Sequence, residues 1–152
     1  MARDIKIETR LPDPPEVVWR ALTDPDALRA WLMPIEGFAP AVGNRFRLTA
    51  KPMPGWDGVI HGEVLEVDEY RLLSYRWQGT QMKRPTTVTW TLTPTDGGGT
   101  RLRLDHTGFT GVGGAILRLM HQGGWRKFLR RHLPGHLPGQ RDHPVDSEHT
   151  PE

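Results

Sequence analysis

Ile5, Ile7, Thr9 and Leu11 alternate with Lys6, Glu8 and Arg10, the period of two that a strand shows when one face is buried and the other wet. A strand is predicted over 3–11. In the next segment, Pro12-Asp13-Pro14-Pro15-Glu16, prolines stand where the first turn of a helix tolerates them. Val17, Val18, Ala21 and Leu22 then recur at helical spacing, which predicts a helix over 14–22. Thr23-Asp24-Pro25 breaks and restarts that helix. Asp24 is the expected cap, and Leu28, Trp31 and Leu32 form the apolar stripe of a second short helix.

From Gly43 onward short β-favouring runs are separated by Gly, Pro and Asp, the texture of an antiparallel meander. Five further strands are predicted over 44–51, 57–68, 71–78, 85–94 and 100–107. The Asp96-Gly97-Gly98-Gly99 link supplies the positive φ that a tight hairpin needs. Ala115 to Leu133 reads as one long helix, with Ile116, Leu119, Met120, Trp125, Phe128 and Leu129 assigned to its inner side. The pair Gly123-Gly124 weakens its middle and predicts close packing or a bend there. After Leu133 the chain turns to Pro, Gly and polar residues, with too little apolar surface to offset the entropy of ordering. The expected organisation is therefore one domain over 1–133 and a mobile tail over 134–152, with no internal repeat.

Composition narrows the chemistry. At 152 residues the chain can build one sizeable core. Its apolar fraction is only 36%, so six Trp and four Phe must carry much of the burial. The absence of cysteine excludes disulfides, thiolate nucleophiles and cysteine-based metal sites, and fits a reducing, cytoplasmic setting. Residues 1–6 mix charged and apolar side chains, unlike a secretory signal, and no apolar run is long enough for stable membrane insertion. The formal charge of +2 argues for no particular partner. The cations Arg126, Lys127, Arg130 and Arg131, with His132, sit where they offset a helix dipole, and without interleaved exposed aromatics they do not point to nucleic acid.

Seven histidines raise the question of a metal. No His-x-x-x-His pair within a helix and no His-Glu-x-x-His is expected, and His132, His136, His143 and His149 lie at or beyond the end of the last helix, so neither a metal site nor any cofactor is predicted. The only serines, Ser74 and Ser147, stand in no nucleophile elbow.

Six motifs carry a resemblance to a known family. They are Pro14-Pro15-Glu16-Val17-Val18-Trp19 through Thr23-Asp24-Pro25 with Trp31; Val42-Gly43-Asn44-Arg45-Phe46; Gly58 through Val67; Leu72-Leu73-Ser74-Tyr75-Arg76-Trp77; Gly99-Thr100-Arg101-Leu102; and His106-Thr107-Gly108-Phe109 followed by Gly123-Gly124-Trp125. In this order they resemble the SRPBCC superfamily of START-like domains. Within it they are most similar to bacterial stand-alone domains related to the C-terminal domain of the activator of the heat-shock 90-kilodalton chaperone ATPase. The resemblance implies an α+β helix-grip fold: a six-stranded antiparallel sheet wrapped around a long C-terminal helix, with two short helices after strand one. It also implies a pocket between sheet and helix.

Strand faces then suggest the lining. Val88, Trp90 and Leu92 share one face of their strand, as do Leu102, Leu104 and His106 of the next. Tyr75 and Trp77 are the better inward candidates of the strand over 71–78. For 57–68 two faces compete, and a bulge near Gly62 could switch between them; His61 and Glu63, if inward, would meet His106 and form a polar spot. Phe46, Ile116, Met120 and Phe128 complete the expected apolar lining, and Trp56, in the Pro54-Gly55-Trp56-Asp57-Gly58 loop, could close its mouth. These expectations favour binding of a small hydrophobic molecule. The alternatives are a module that regulates a partner protein and a cyclase- or hydrolase-like enzyme with His106 as its base. Ligand identity and oligomeric state have no signature in the sequence.

Overall fold

The computed structural model describes residues 4–52, 54, 56–80 and 82–138. Strand β1 (Ile5–Leu11) leads into α1 (Pro15–Thr23) and α2 (Pro25–Trp31), and Asp24 caps α2 by accepting from the backbone N–H of Asp26 at 3.2 Å. The meander comprises β2 (Ile35–Glu36), β3 (Arg45–Thr49), β4 (Val59–Asp68), β5 (Leu72–Gly79), β6 (Thr86–Pro94) and β7 (Thr100–Thr107). Helix α3 (Gly111–Lys127) follows and continues through a wider turn, Phe128–His132, into Leu133–Gly135.

All seven strands form one antiparallel sheet in the order β1-β7-β6-β5-β4-β3-β2. The helix-grip architecture is thus as expected, with one strand more than the six predicted. The addition is β2, whose two residues pair Ile35 with Leu48 and Glu36 with Arg47; two residues are too short to display any periodicity.

The pleat decides what reaches the core. Leu73, Tyr75 and Trp77 of β5, Val88, Trp90 and Leu92 of β6, and Leu102, Leu104 and His106 of β7 are all buried on the concave face. On β4 the buried set is Ile60, Gly62 and Val64, which sends His61 and Glu63 outward. A register shift does occur on β4, between Val64 and Glu66 rather than at Gly62. Gly62 has a different task. Phe46 faces it across the sheet, and a Cβ there would lie 2.2 Å from the Phe46 ring. That ring is held by Phe38 and Tyr75, each with its centroid 5.1 Å away. Gly62→Ala is therefore expected to overpack this cluster and cost about 1–3 kcal/mol in urea denaturation; an unchanged midpoint would mean the ring moves freely.

Packed chain extends past residue 133. Leu133 and Leu137, one helical turn apart, are both buried, so the Pro-Gly composition of this stretch understated its apolar anchors. The rest of the expected tail, with His143, Ser147 and His149, lies outside the described residues from 139 onward.

Candidate functional site

Beneath α3 the sheet's concave face is filled at one end and open at the other. At the filled end the Trp90 indole N–H donates to the Tyr75 hydroxyl at 2.8 Å, and Trp31 meets Trp90 edge-on at 6.2 Å. Burial raises the Tyr75 pKa, the bond from Trp90 opposing it only in part, so the phenol stays neutral. Phe46, Tyr75, Trp90 and Leu104, expected to line a cavity, instead form solid core.

The open end is a cleft of about 250 Å³. Its floor comes from the sheet, with Ile60 of β4 and Trp77 and Gly79 of β5. Met33, Ala50, Trp56 and Met82 enter from loops, and Leu117, Met120, His121, Gly124 and Trp125 from α3, with Phe128 just beyond. Four of the expected lining residues meet here: Trp56, Trp77, Met120 and Phe128. Ile116 does not, because it points outward and is 56% exposed. His61 is exposed on the convex face, and Glu63 is ion-paired there with Arg76 Nη1 at 2.7 Å, so neither reaches His106.

The phase of α3 explains most of what the sequence missed. Ile116, Leu119 and Met120 suggest one apolar face, but the packed face runs through Leu117, His121, Gly124, Trp125 and Phe128. Two steps of four residues back from Trp125 lead to His121 and Leu117, and one step of three forward leads to Phe128, so the helical period counted from Trp125 gives the packed face.

Two histidines order the inner wall, and their hydrogen bonds fix both tautomers. Trp125 Nε1 can only donate, so His106 Nδ1 accepts its proton at 2.9 Å. The Thr86 hydroxyl donates to the Trp77 carbonyl at 2.7 Å, which leaves Thr86 Oγ1 to accept from His106 Nε2–H, also at 2.7 Å. His106 is fully buried, and burial, then the neighbouring His121, push its pKa well below the ordinary value. On His121, Nδ1–H donates to the Leu117 carbonyl at 2.8 Å, and Nε2 accepts from the Trp77 indole N–H at 3.2 Å. Burial also lowers the His121 pKa, the bond to Leu117 opposing the shift.

His106 accordingly has no lone pair to offer as a base: Nδ1 is occupied by Trp125 and Nε2 carries a proton committed to Thr86. To act as a general base His106 would first have to give up one of these two bonds. His132 and His136 stand four residues apart on the last turn, contrary to expectation, with His136 Nδ1 bonded to the His132 carbonyl at 2.8 Å. No group of three or more ligating side chains occurs among the described residues. No helix among those residues is long and apolar enough to cross a membrane.

A curved antiparallel sheet gripping a C-terminal helix, with an apolar cleft between them, defines a helix-grip domain. This chain belongs to the family of activator of Hsp90 ATPase homolog 1-like proteins, whose model matches residues 13–137. Among solved structures it is similar to protein MLL2253 from Mesorhizobium loti, at 37% identity and a TM-score of 0.74, with 84% of this chain and 91% of that one covered. It shares its fold with the Aha1 dimer from Colwellia psychrerythraea (20% identity, TM-score 0.72, 90% and 97% covered). The same holds for PFC0360w, an HSP90 activator from Plasmodium falciparum (24%, 0.64, 84% and 91%). No curated protein matches the chain.

Proposed function

We propose that this domain binds a small, predominantly apolar molecule in the cleft between the sheet and α3, as a non-enzymatic binding or carrier protein of the cytoplasm. The observation that carries the reading is the unfilled space beside Gly124. A Cβ built there meets no atom within 4 Å, although three tryptophans, three methionines and a phenylalanine line the same cleft. Apolar walls around open volume are unfavourable when wet and gain from any apolar guest that displaces water. Aromatic faces and flexible thioethers adapt to guests of varied shape.

Filling the space is the direct test. Gly124→Leu places a side chain in the cleft and also removes a helix glycine, so its melting temperature is expected to stay level or rise. Affinity for the neutral fluorescent probe N-phenyl-1-naphthylamine should fall by about tenfold or more, a loss of about 1.4 kcal/mol. Equal binding by the variant and the parent protein would count against the cleft as the site.

A second reading, regulation of a partner protein, is favoured by Ile116 and Leu119, which expose apolar surface on α3 away from the cleft, next to Met120 at the cleft's rim. The fold likeness to an HSP90 activator points the same way. If no apolar probe binds while the protein accelerates the ATPase of an Hsp90 chaperone, this second reading replaces the first.

A further inference from the structure

A second cavity, of about 320 Å³, lies next to the cleft, and Met82 and Leu117 line both. A guest reaching from one space to the other must move these two side chains, both unbranched at Cβ; for Met82 this means giving up the Gly79 N–H that its sulfur accepts at 3.1 Å. The two cavities differ in chemistry. Among the described residues the lining of the cleft contains no Lys, Arg, Asp or Glu, and its one histidine, His121, is kept neutral by burial, with its Nε2 occupied by the Trp77 indole N–H. The second cavity is lined by Lys83, Arg84, Thr86 and Thr110, and runs along the first turn of α3 at Gly113 and Gly114.

We infer that the ligand is an amphipathic anion, its apolar body in the cleft and its carboxylate or phosphate head in the second cavity beside Lys83 and Arg84. This rests on the cleft being a binding site and adds the charge of the guest. Lys83 and Arg84 are both exposed, and neither is ion-paired among the described residues, so their charge is uncommitted. The Thr110 hydroxyl makes no capping bond to α3, and the positive end of the α3 dipole favours an anion on the same side. Within the cleft itself a buried head of either sign would find no counter-charge, which places the head past Met82 and Leu117.

The test compares three probes of one chain length: decanol, decanoate and decyl phosphate, each titrated by calorimetry into the parent protein and into the double variant Lys83→Ala, Arg84→Ala. Because both residues are exposed, the variant is expected to fold with an unchanged melting temperature. The two anions should bind more tightly than decanol to the parent protein. The double variant should weaken them by about five- to tenfold and leave decanol unaffected, in keeping with the modest strength of exposed ion pairs. Added salt should narrow the gap between anion and alcohol in the parent protein. Tighter binding of decyl phosphate than of decanoate would identify a phosphate-bearing ligand, and the reverse a carboxylate. Equal affinity for decanol and both anions, indifferent to the double substitution, would overturn this inference while leaving the cleft as a site. Failure of all three probes to bind would overturn both.

Discussion

Trp125→Ala is expected to lower the stability of the domain by about 3–5 kcal/mol, a large share of the roughly 5–15 kcal/mol that holds a typical domain folded. The indole is 2% exposed and joins three parts of the core at once. Its ring lies 5.1 Å from Trp77 and 5.5 Å from Trp90 on the sheet, and 6.2 Å from Phe128 one turn further along the helix. Its N–H is the donor to His106 Nδ1. Removing it opens a void under α3 and strands a buried acceptor, two losses with separate causes. Trp125→Phe separates them: the ring contacts survive in part while the bond to His106 is lost, which should cost about 1–3 kcal/mol for the unpaired nitrogen and some further packing. Urea denaturation of the two variants beside the parent protein measures both, read as a lower midpoint with little change in slope. An alanine variant within about 1 kcal/mol of the parent protein would mean that α3 contributes little to the fold, far below the usual cost of deleting a buried Trp.

The sheet was legible because its strands are long and one-sided. Val88-Thr89-Trp90-Thr91-Leu92 and Leu102-Arg103-Leu104-Asp105-His106 place one set of side chains inside, and the structure buries that set. Where both faces of a strand carried apolar residues the pattern was silent. On β4 the inward position of Gly62 is set by Phe46 on β3, a partner 16 positions away in sequence that no local period reveals. Helix α3 misled in a different way. Its first half contains apolar residues all round and glycines on several sides, so Ile116, Leu119 and Met120 resemble a core stripe although each is more than half exposed. Trp125 near its end and Leu129 in the turn that follows, both buried, reveal the true phase. The cleft was the least legible feature. Its walls come from loops, strand ends and one helix face, and Gly124 leaves open space among them by contributing no side chain. Open volume of that kind is a property of the assembled fold, while a sequence records only the residues around it.

Stability should fall as the solution is acidified below about pH 6.5, and His106 should account for much of the fall. In the folded protein the ring cannot take a second proton without setting Nδ1–H against the N–H of Trp125 at 2.9 Å. Burial, followed by the nearby His121, holds its pKa well below 6.5. In the unfolded chain the same ring titrates near 6.5. The unfolded state therefore binds more protons in the window from about 6.5 down to the folded pKa, and stability falls as pH falls through it. Above 6.5 the ring is neutral in both states and nothing is lost. The slope from one such group approaches about 1.4 kcal/mol per pH unit. His121, whose pKa burial also lowers, acts in the same direction and raises the limit toward about 2.7 kcal/mol per unit, with a smaller share from His132. The remaining neighbours of the His106 ring, Thr86, Trp77, Phe109 and Trp125, bear no charge that could offset the effect. His106→Gln supplies an amide that does not titrate. It should lose stability at neutral pH, because an amide does not reproduce both ring bonds, yet reduce the slope below about pH 6.5 by up to one proton's worth. Urea denaturation at a series of pH values, on the parent protein and on this variant, gives both slopes directly. Parallel curves would show that His106 takes up its proton as readily in the folded domain as in the open chain, and that the Trp125–His106–Thr86 chain of hydrogen bonds does not hold the ring neutral.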